Sequence, residues 1–350
     1  MFLSNRNQGF YYLSKNQLFK NLFINRRANP VYLKCCEFFG TILIDRTHTI
    51  EPGINFQIID KIPATQGFNL SFQDVCEARA SQIIRQVKGE IKLLWSGGID
   101  STVALISILS ALVQLDQLHR LTILLSKESI SEYPSFFKDV IKDKLNYQLI
   151  ETTIFDTIDS HDIIVTGEHG DQLFGSDKLK YPVISGDAYS PFDQIIDFII
   201  PRKLGTDKYT VQIIDFLDPL IGKSSVKIKT LYDYLWWLNF SLKWQTVSMR
   251  LIHGLNRSYL DLERTVFHFF RTEDFQNWSI FNHDKKIKKD WNTYKYVAKE
   301  YIYHYHRDEH YLQNKEKEQS LKEVIINPKE AGLFKKRLKR MKMHKETSRE

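Results

Sequence analysis

Cysteine is scarce in this chain of 350 residues: there are three, Cys35, Cys36 and Cys76, the first two adjacent, with no C-x-x-C pair. That pattern argues against a disulfide-built scaffold and against a cysteine-based zinc or iron–sulfur centre, and reduced, buried thiols are expected. Long apolar runs are also missing. No stretch approaches 18 apolar residues, so no transmembrane helix is expected. Met1–Asn16 alternates apolar and polar residues and lacks the apolar core of a signal peptide. A cytoplasmic protein with no membrane partner is the resulting expectation. A large charge imbalance is missing too. Lys and Arg number 49 against 42 Asp and Glu, a net of +7. Lys335–Glu350 holds eight Lys or Arg and two Glu, which leaves 41 basic and 40 acidic groups elsewhere. The body is therefore close to neutral and the excess forms a basic tail. A solvated terminus is the ordinary reading of such a run; a nucleic-acid contact is compatible with it but not favoured.

The hydrophobic fraction of 43% and aromatic fraction of 13% are too high for a mainly disordered chain. The length suits one large or two ordinary domains, and no solenoid repeat is present. Up to about residue 75, the short runs Val31–Leu33, Gly40–Ile44 and Asn55–Ile59 are rich in β-branched and aromatic residues. Asn29-Pro30 and Glu51-Pro52-Gly53 separate them, so a small β-rich N-terminal region is expected. Residues 72–88 then show helical spacing, with Val75, Ala78, Ile83, Ile84 and Val87 on one face. From Ile91, apolar strands alternate with helices: Ile91–Trp95, helix Thr102–Leu115, Leu121–Leu125, helix Ser135–Leu145, Gln148–Thr153 and Ile163–Thr166. This alternation predicts an α/β fold with a parallel sheet. Beyond about 190 the chain reads as helical, with Trp236, Trp237, Trp244, Trp278 and Trp291 available for packing.

The most informative segment is Lys92-Leu93-Leu94-Trp95-Ser96-Gly97-Gly98-Ile99-Asp100-Ser101-Thr102. A buried strand ends and Ser-Gly-Gly-x-Asp-Ser opens a helix. The glycines permit a tight turn and a close backbone approach to a ligand. The helix N-terminus offers N–H donors and a positive dipole end. Ser96, Ser101 and Thr102 add hydroxyls. The Asp100 carboxylate repels phosphate unless Mg²⁺ stands between them. A pyrophosphate–Mg²⁺ site is the chemistry these groups suit together. Neither a Walker A loop nor a dinucleotide fingerprint is present. The alternative is an ordinary strand–helix turn capped by Asp or Ser.

The segment resembles the PP-loop of the ATP pyrophosphatase superfamily, whose members cleave ATP between the α and β phosphates and transfer AMP to a substrate oxygen. A second segment, Ile163–Asp177 (IIVTGEHGDQLFGSD), resembles the S-G-E-G-x-D-E-L-F-G-G stretch of asparagine synthetases and β-lactam synthetases. That resemblance makes Asp171 a second Mg²⁺ ligand beside Asp100, brings Gly167 into the nucleotide site, and puts Glu168 near the reacting carboxylate. Gln172 replaces the family's Glu. No role falls to His169, because a lone His is more often structural. Lys243–Met249 is similar to the family's K-x-D-R-x-S-M, with Gln245 and Thr246 in place of Asp and Arg. His268–Thr272 falls where the family has V-P-F-L-D. Tyr294–Lys299 followed by Tyr311–Gln319 resembles K-Y-x-L-R and then R-x-K-E-Q, where the family's Lys contacts phosphates. Lys317 is the first candidate for that Lys and Lys315 the second, against a solvated Lys/Glu helix face. His304, His306 and His310 lack a partner that completes a recognised zinc site.

The resemblance implies an asparagine synthetase-like ATP-pyrophosphatase domain over 76–334, preceded over 1–75 by a remnant of an amidotransferase domain and followed by the basic tail, 335–350. Phe2 stands where the family's glutaminase has its nucleophilic Cys, so glutamine hydrolysis is not expected. The expected reaction is ATP-dependent amide formation. MgATP binds at the sheet edge with adenine against the Leu94 and Leu125 strand ends. A carboxylic acid is adenylated, pyrophosphate leaves, and an amine or ammonia displaces AMP. Two alternatives stay open: a PP-loop enzyme acting on tRNA or a nucleobase, and a non-catalytic ATP-binding descendant.

Overall fold

The computed structural model describes residues 9–64, 67–159, 161–175, 177–249 and 263–316. Lys317 and the basic tail lie outside them. In chain order the elements used below are α1 (Lys15–Lys20), α2 (Leu22–Arg27), α3 (Pro30–Phe39), α4 (Phe72–Gln86), β1 (Ile91–Leu94), α5 (Ile99–Gln114), β2 (Leu121–Leu125), α6 (Lys127–Glu132), β3 (Tyr147–Leu149), β4 (Ile164–Thr166), α7 (Gly170–Phe174), α8 (Phe192–Leu204), α9 (Thr210–Ile221), α10 (Leu231–Leu242), α11 (Trp244–Met249), β5 (Val266–His268), α12 (Glu273–Phe281), α13 (Tyr296–Tyr305) and α14 (Glu309–Asn314). The chain divides into two compact units. Among the described residues, a sheet unit holds 83–166 and 263–267, and a helical unit holds 9–82, 167–249 and 268–316.

The fold is α/β, with a five-stranded sheet in the order β3-β2-β1-β4-β5. β1 pairs in parallel with β2 and with β4, and β2 pairs in parallel with β3. Ile91, Leu93 and Leu94 are buried, as are Leu121, Ile123, Leu124 and Leu125. Such strands, apolar but for the half-buried Lys92 and Thr122, require cover on both faces. Part of that cover is α5, which buries Ile99, Val103, Ile106 and Leu109 along with the small Ala104 and Ser107. β5 lies beyond the strands expected from the pattern. The expected helix Ser135–Leu145 is broken: a short α-turn at Pro134–Phe136 widens into i→i+5 bonding over Phe137–Ile141.

The helical unit packs around aromatic side chains. Trp236, Trp237, Trp244 and Trp278 are buried; Trp236 Nε1 donates to Leu173 O (2.9 Å) and Trp237 Nε1 to Leu220 O (2.7 Å).

The expectation of a β-rich N-terminal region is corrected. Among the described residues up to 75 there are three helices, α1 to α3, and one isolated bridge, Phe10 with Phe56. Val31–Leu33 lies within α3. Asn29 caps that helix by accepting from Val31 N (2.9 Å), Pro30 takes its first position, and Gly40 closes it at φ 71°. Asn-Pro is thus a helix start here rather than a turn between strands. The extended runs bond elsewhere: Ile44 N donates to Leu242 O at the end of α10 (2.8 Å), and Gln57 N to Phe10 O (2.9 Å).

Candidate functional site

In the sheet unit, β1 runs into the Ser96–Thr102 turn. Gly97 adopts φ +76°, and an added Cβ would lie 2.3 Å from Ser129 O and 2.9 Å from Glu132 Cβ, so both conformation and space demand glycine. Gly98 is extended and caps α5, so the helix opens at Ile99, with Asp100 in its first turn. The hydroxyls hold the turn in shape. Ser101 Oγ accepts from Ser96 N (3.0 Å) and lies 2.8 Å from Ser96 Oγ, which accepts from Gly98 N (3.2 Å). Thr102 Oγ1 donates to Gly98 O (2.8 Å) and accepts from Trp95 Nε1 (3.0 Å). Thr102 is fully buried. It shapes the turn from within, as does buried Gly97, while Ser96, Gly98 and Asp100 are half-buried at the positive end of a 16-residue helix.

Leu94 and Leu125 lie at the C-terminal ends of adjacent strands, and both are buried. A ligand at this level would meet their backbone rather than their buried side chains. Leu94 also pairs with Thr166, so the strand feeding the Ser96 turn and the strand feeding Gly167 are parallel neighbours ending at one level.

Glu132, not among the residues expected from the sequence, also lies at this turn. It ends α6, the helix after β2, and its Oε1 stands 3.2 Å from where a Gly98 Cβ would be. Its carboxylate oxygens, like Asp100 Oδ1, are shielded from solvent. The capping box of Ser126 and Ser129 marks the start of α6, but no local signal marks Glu132. Two carboxylates at one turn make a cation the natural companion of any phosphate there.

The helical unit holds the second motif. Gly167 and Glu168 are half-buried, His169 sits at φ +76°, and α7 begins at Gly170. Asp171 Oδ1 accepts from Lys295 Nζ at 2.8 Å, and Asp171 O accepts from Asn239 Nδ2 at 2.7 Å. Lys295 is buried and itself takes a left-handed backbone, φ 60°, with its N–H on Lys286 O (2.9 Å). Gln172 is buried beside Asn239 (3.4 Å), where a Glu would bring a charge into the core. His169 is buried against the Trp244 ring, with Nε2 2.9 Å from Ser248 Oγ. Lys315 is buried as well. Burial, followed by the Lys315 charge, lowers Lys299 to about 8.

Gln245 and Thr246 hold the N-terminal segment in place. Gln245 Nε2 donates to Tyr11 O and Gln57 O, both at 2.8 Å, and its Oε1 accepts from Ile59 N at 3.0 Å. Thr246 Oγ1 donates to Ile42 O at 2.8 Å. Arg46 adds bonds to Phe240 O (3.0 Å), Asp60 O (2.6 Å) and Lys61 O (2.9 Å). Burial tends to raise the Asp60 carboxyl, but the charge and hydrogen bonds of Arg271, with help from Arg46, lower it. These groups tie residues 11–61 to α10 and α11 within one unit.

No protein-family model matches the chain, and no curated protein matches it. Among the described residues no group of three or more His, Cys, Asp or Glu could hold a metal ion. A resident metal has no donor set there. The Gly97–Gly98 cradle with Asp100 suits Mg²⁺ arriving on a triphosphate, because that ion needs only one or two protein carboxylates.

Proposed function

We propose that the chain is an ATP-dependent amide-forming ligase, similar in chemistry to asparagine synthetase but without glutamine hydrolysis. The observation that carries this reading is the glycine-locked Ser96–Thr102 turn at the C-terminal end of the central parallel strand β1, the edge where open α/β sheets bind ligands. MgATP is the substrate, with Mg²⁺ between its phosphates and Asp100; the resemblance alone assigns Asp171 as a second ligand. A carboxylate oxygen of the acid substrate attacks the α-phosphorus and pyrophosphate leaves. An amine or ammonia then attacks the acyl carbon of the acyl-adenylate and AMP leaves. The protein's part is positioning and charge stabilisation. Glu168 is assigned to the reacting carboxylate and Lys317 to the phosphates.

The packing duties of Gln245 and Thr246 favour a second reading, ATP binding without the family's acid substrate. Exchange of labelled pyrophosphate into ATP, tested over a panel of carboxylic acids, separates the two. Acid-dependent exchange supports ligation; its absence with every acid, in a protein that binds MgATP, supports the second.

A further inference from the structure

We propose that α2 is an attachment point for anionic membrane surfaces. Leu22 and Phe23 are neighbours in the chain, and both project into solvent, 71% and 73% exposed. The helix is not short of a core face, since Ile24 and the following Ala28 are buried. Asn21 fixes the presentation by accepting from Phe23 N (3.0 Å) and Ile24 N (3.2 Å). Lys15 and Lys20 of α1 and Arg26 and Arg27 of α2 are exposed, and the Arg27 guanidinium lies 5.1 Å from the Phe23 ring centre. Residues 1–36 contain Arg6, Lys15, Lys20, Arg26, Arg27 and Lys34 and no Asp or Glu; the first acid is Glu37.

An apolar pair on a segment rich in exposed cations matches the two layers of an anionic bilayer face. The headgroups meet the cations, and the acyl boundary receives Leu22 and Phe23. Two other occupants fit less well. A second copy on the same patch would set the basic surround against itself. A nucleic acid would satisfy the cations but leave Leu22 exposed. No described helix is long and apolar enough to cross a membrane, so the contact proposed is peripheral.

Sedimentation of the full chain with vesicles tests this. Phosphatidylcholine vesicles are compared with vesicles of 70% phosphatidylcholine and 30% phosphatidylglycerol, for the wild type and for L22S/F23S. Both altered side chains are solvent-exposed, so the variant keeps its melting temperature. The basic 335–350 stretch is common to both proteins, so their difference reports on α2. The expected result is binding at least tenfold tighter to the anionic vesicles, reduced at least tenfold in L22S/F23S. Failure to sediment with anionic vesicles, or sedimentation that L22S/F23S leaves unchanged, overturns the proposal. The second outcome, combined with binding of polyuridylate by both proteins, reassigns the cations to nucleic acid.

Discussion

The Lys295 ammonium lies 2.8 Å from Asp171 Oδ1, and the two partners are buried unequally: the Lys295 side chain is 1% exposed and that of Asp171 32%. The pair gives the two possible deletions different costs. Asp171→Ala leaves a buried ammonium without this carboxylate and is expected to destabilise by about 3 kcal/mol, whereas Lys295→Met leaves a carboxylate that water reaches and costs about 1 kcal/mol. Urea denaturation of the two variants checks the order. Equal losses would show that the pair is not the main partner of Lys295.

Gly97 carries the turn. Gly97→Ala meets both a left-handed φ and the Ser129 carbonyl, so it is expected to lower stability by about 2 kcal/mol or more and to weaken nucleotide binding. A thermal melt read with and without MgATP measures both effects. An alanine variant with wild-type behaviour would mean that the backbone here differs from the one described.

Gln245→Ala removes three hydrogen bonds to residues 11, 57 and 59 and leaves half-buried backbone groups without this partner. A loss of about 2–4 kcal/mol is expected. Limited proteolysis should then cut first within residues 9–61. Gln245→Asp should be no better, because it buries a charge at a fully enclosed position. Rescue by Asp would contradict the packing role.

Acid sensitivity should come partly from His283. Burial, reinforced by the Lys286 charge, lowers its pKa to about 4 from 6.5. Between these values the unfolded chain takes up a proton that the folded chain refuses, so stability falls as pH drops from 6.5 to 4, by about 3 kcal/mol in total. Asp233 adds its share lower down. Although burial opposes it, the hydrogen bond from His283 brings Asp233 to about 2, so its contribution is lost only below the ordinary value of 3.8. Urea melts at pH 7, 5.5 and 4 should show the slope, and His283→Gln should flatten it. Identical slopes in both proteins would remove His283 as the cause.

The strand–turn–helix at Ile91–Leu115 was legible because each level agreed: an unbroken apolar strand, two glycines, then an apolar helix. The helix starts at Ile99 rather than Thr102, since Gly98 itself adopts the capping conformation. The 72–88 helix was legible in its Val75, Ile83 and Ile84 face, but Ala78 points to solvent while Cys76 and Ala80 are buried. The N-terminal helices were not legible, because aromatic and β-branched residues serve a buried helix face as well as a strand. Gln245 and Thr246 looked like eroded site residues, and no local pattern names partners that lie 186 to 234 residues away. Glu132 was hidden for a similar reason: it reaches the turn after β1 from the helix that follows the neighbouring strand, β2.

The most direct test of the central claim is calorimetric titration of MgATP into the wild type and Asp100→Ala. The account predicts binding by the wild type and at least a tenfold loss in Asp100→Ala at an unchanged melting temperature. Equal affinity in the two proteins, or no binding by the wild type, would contradict it.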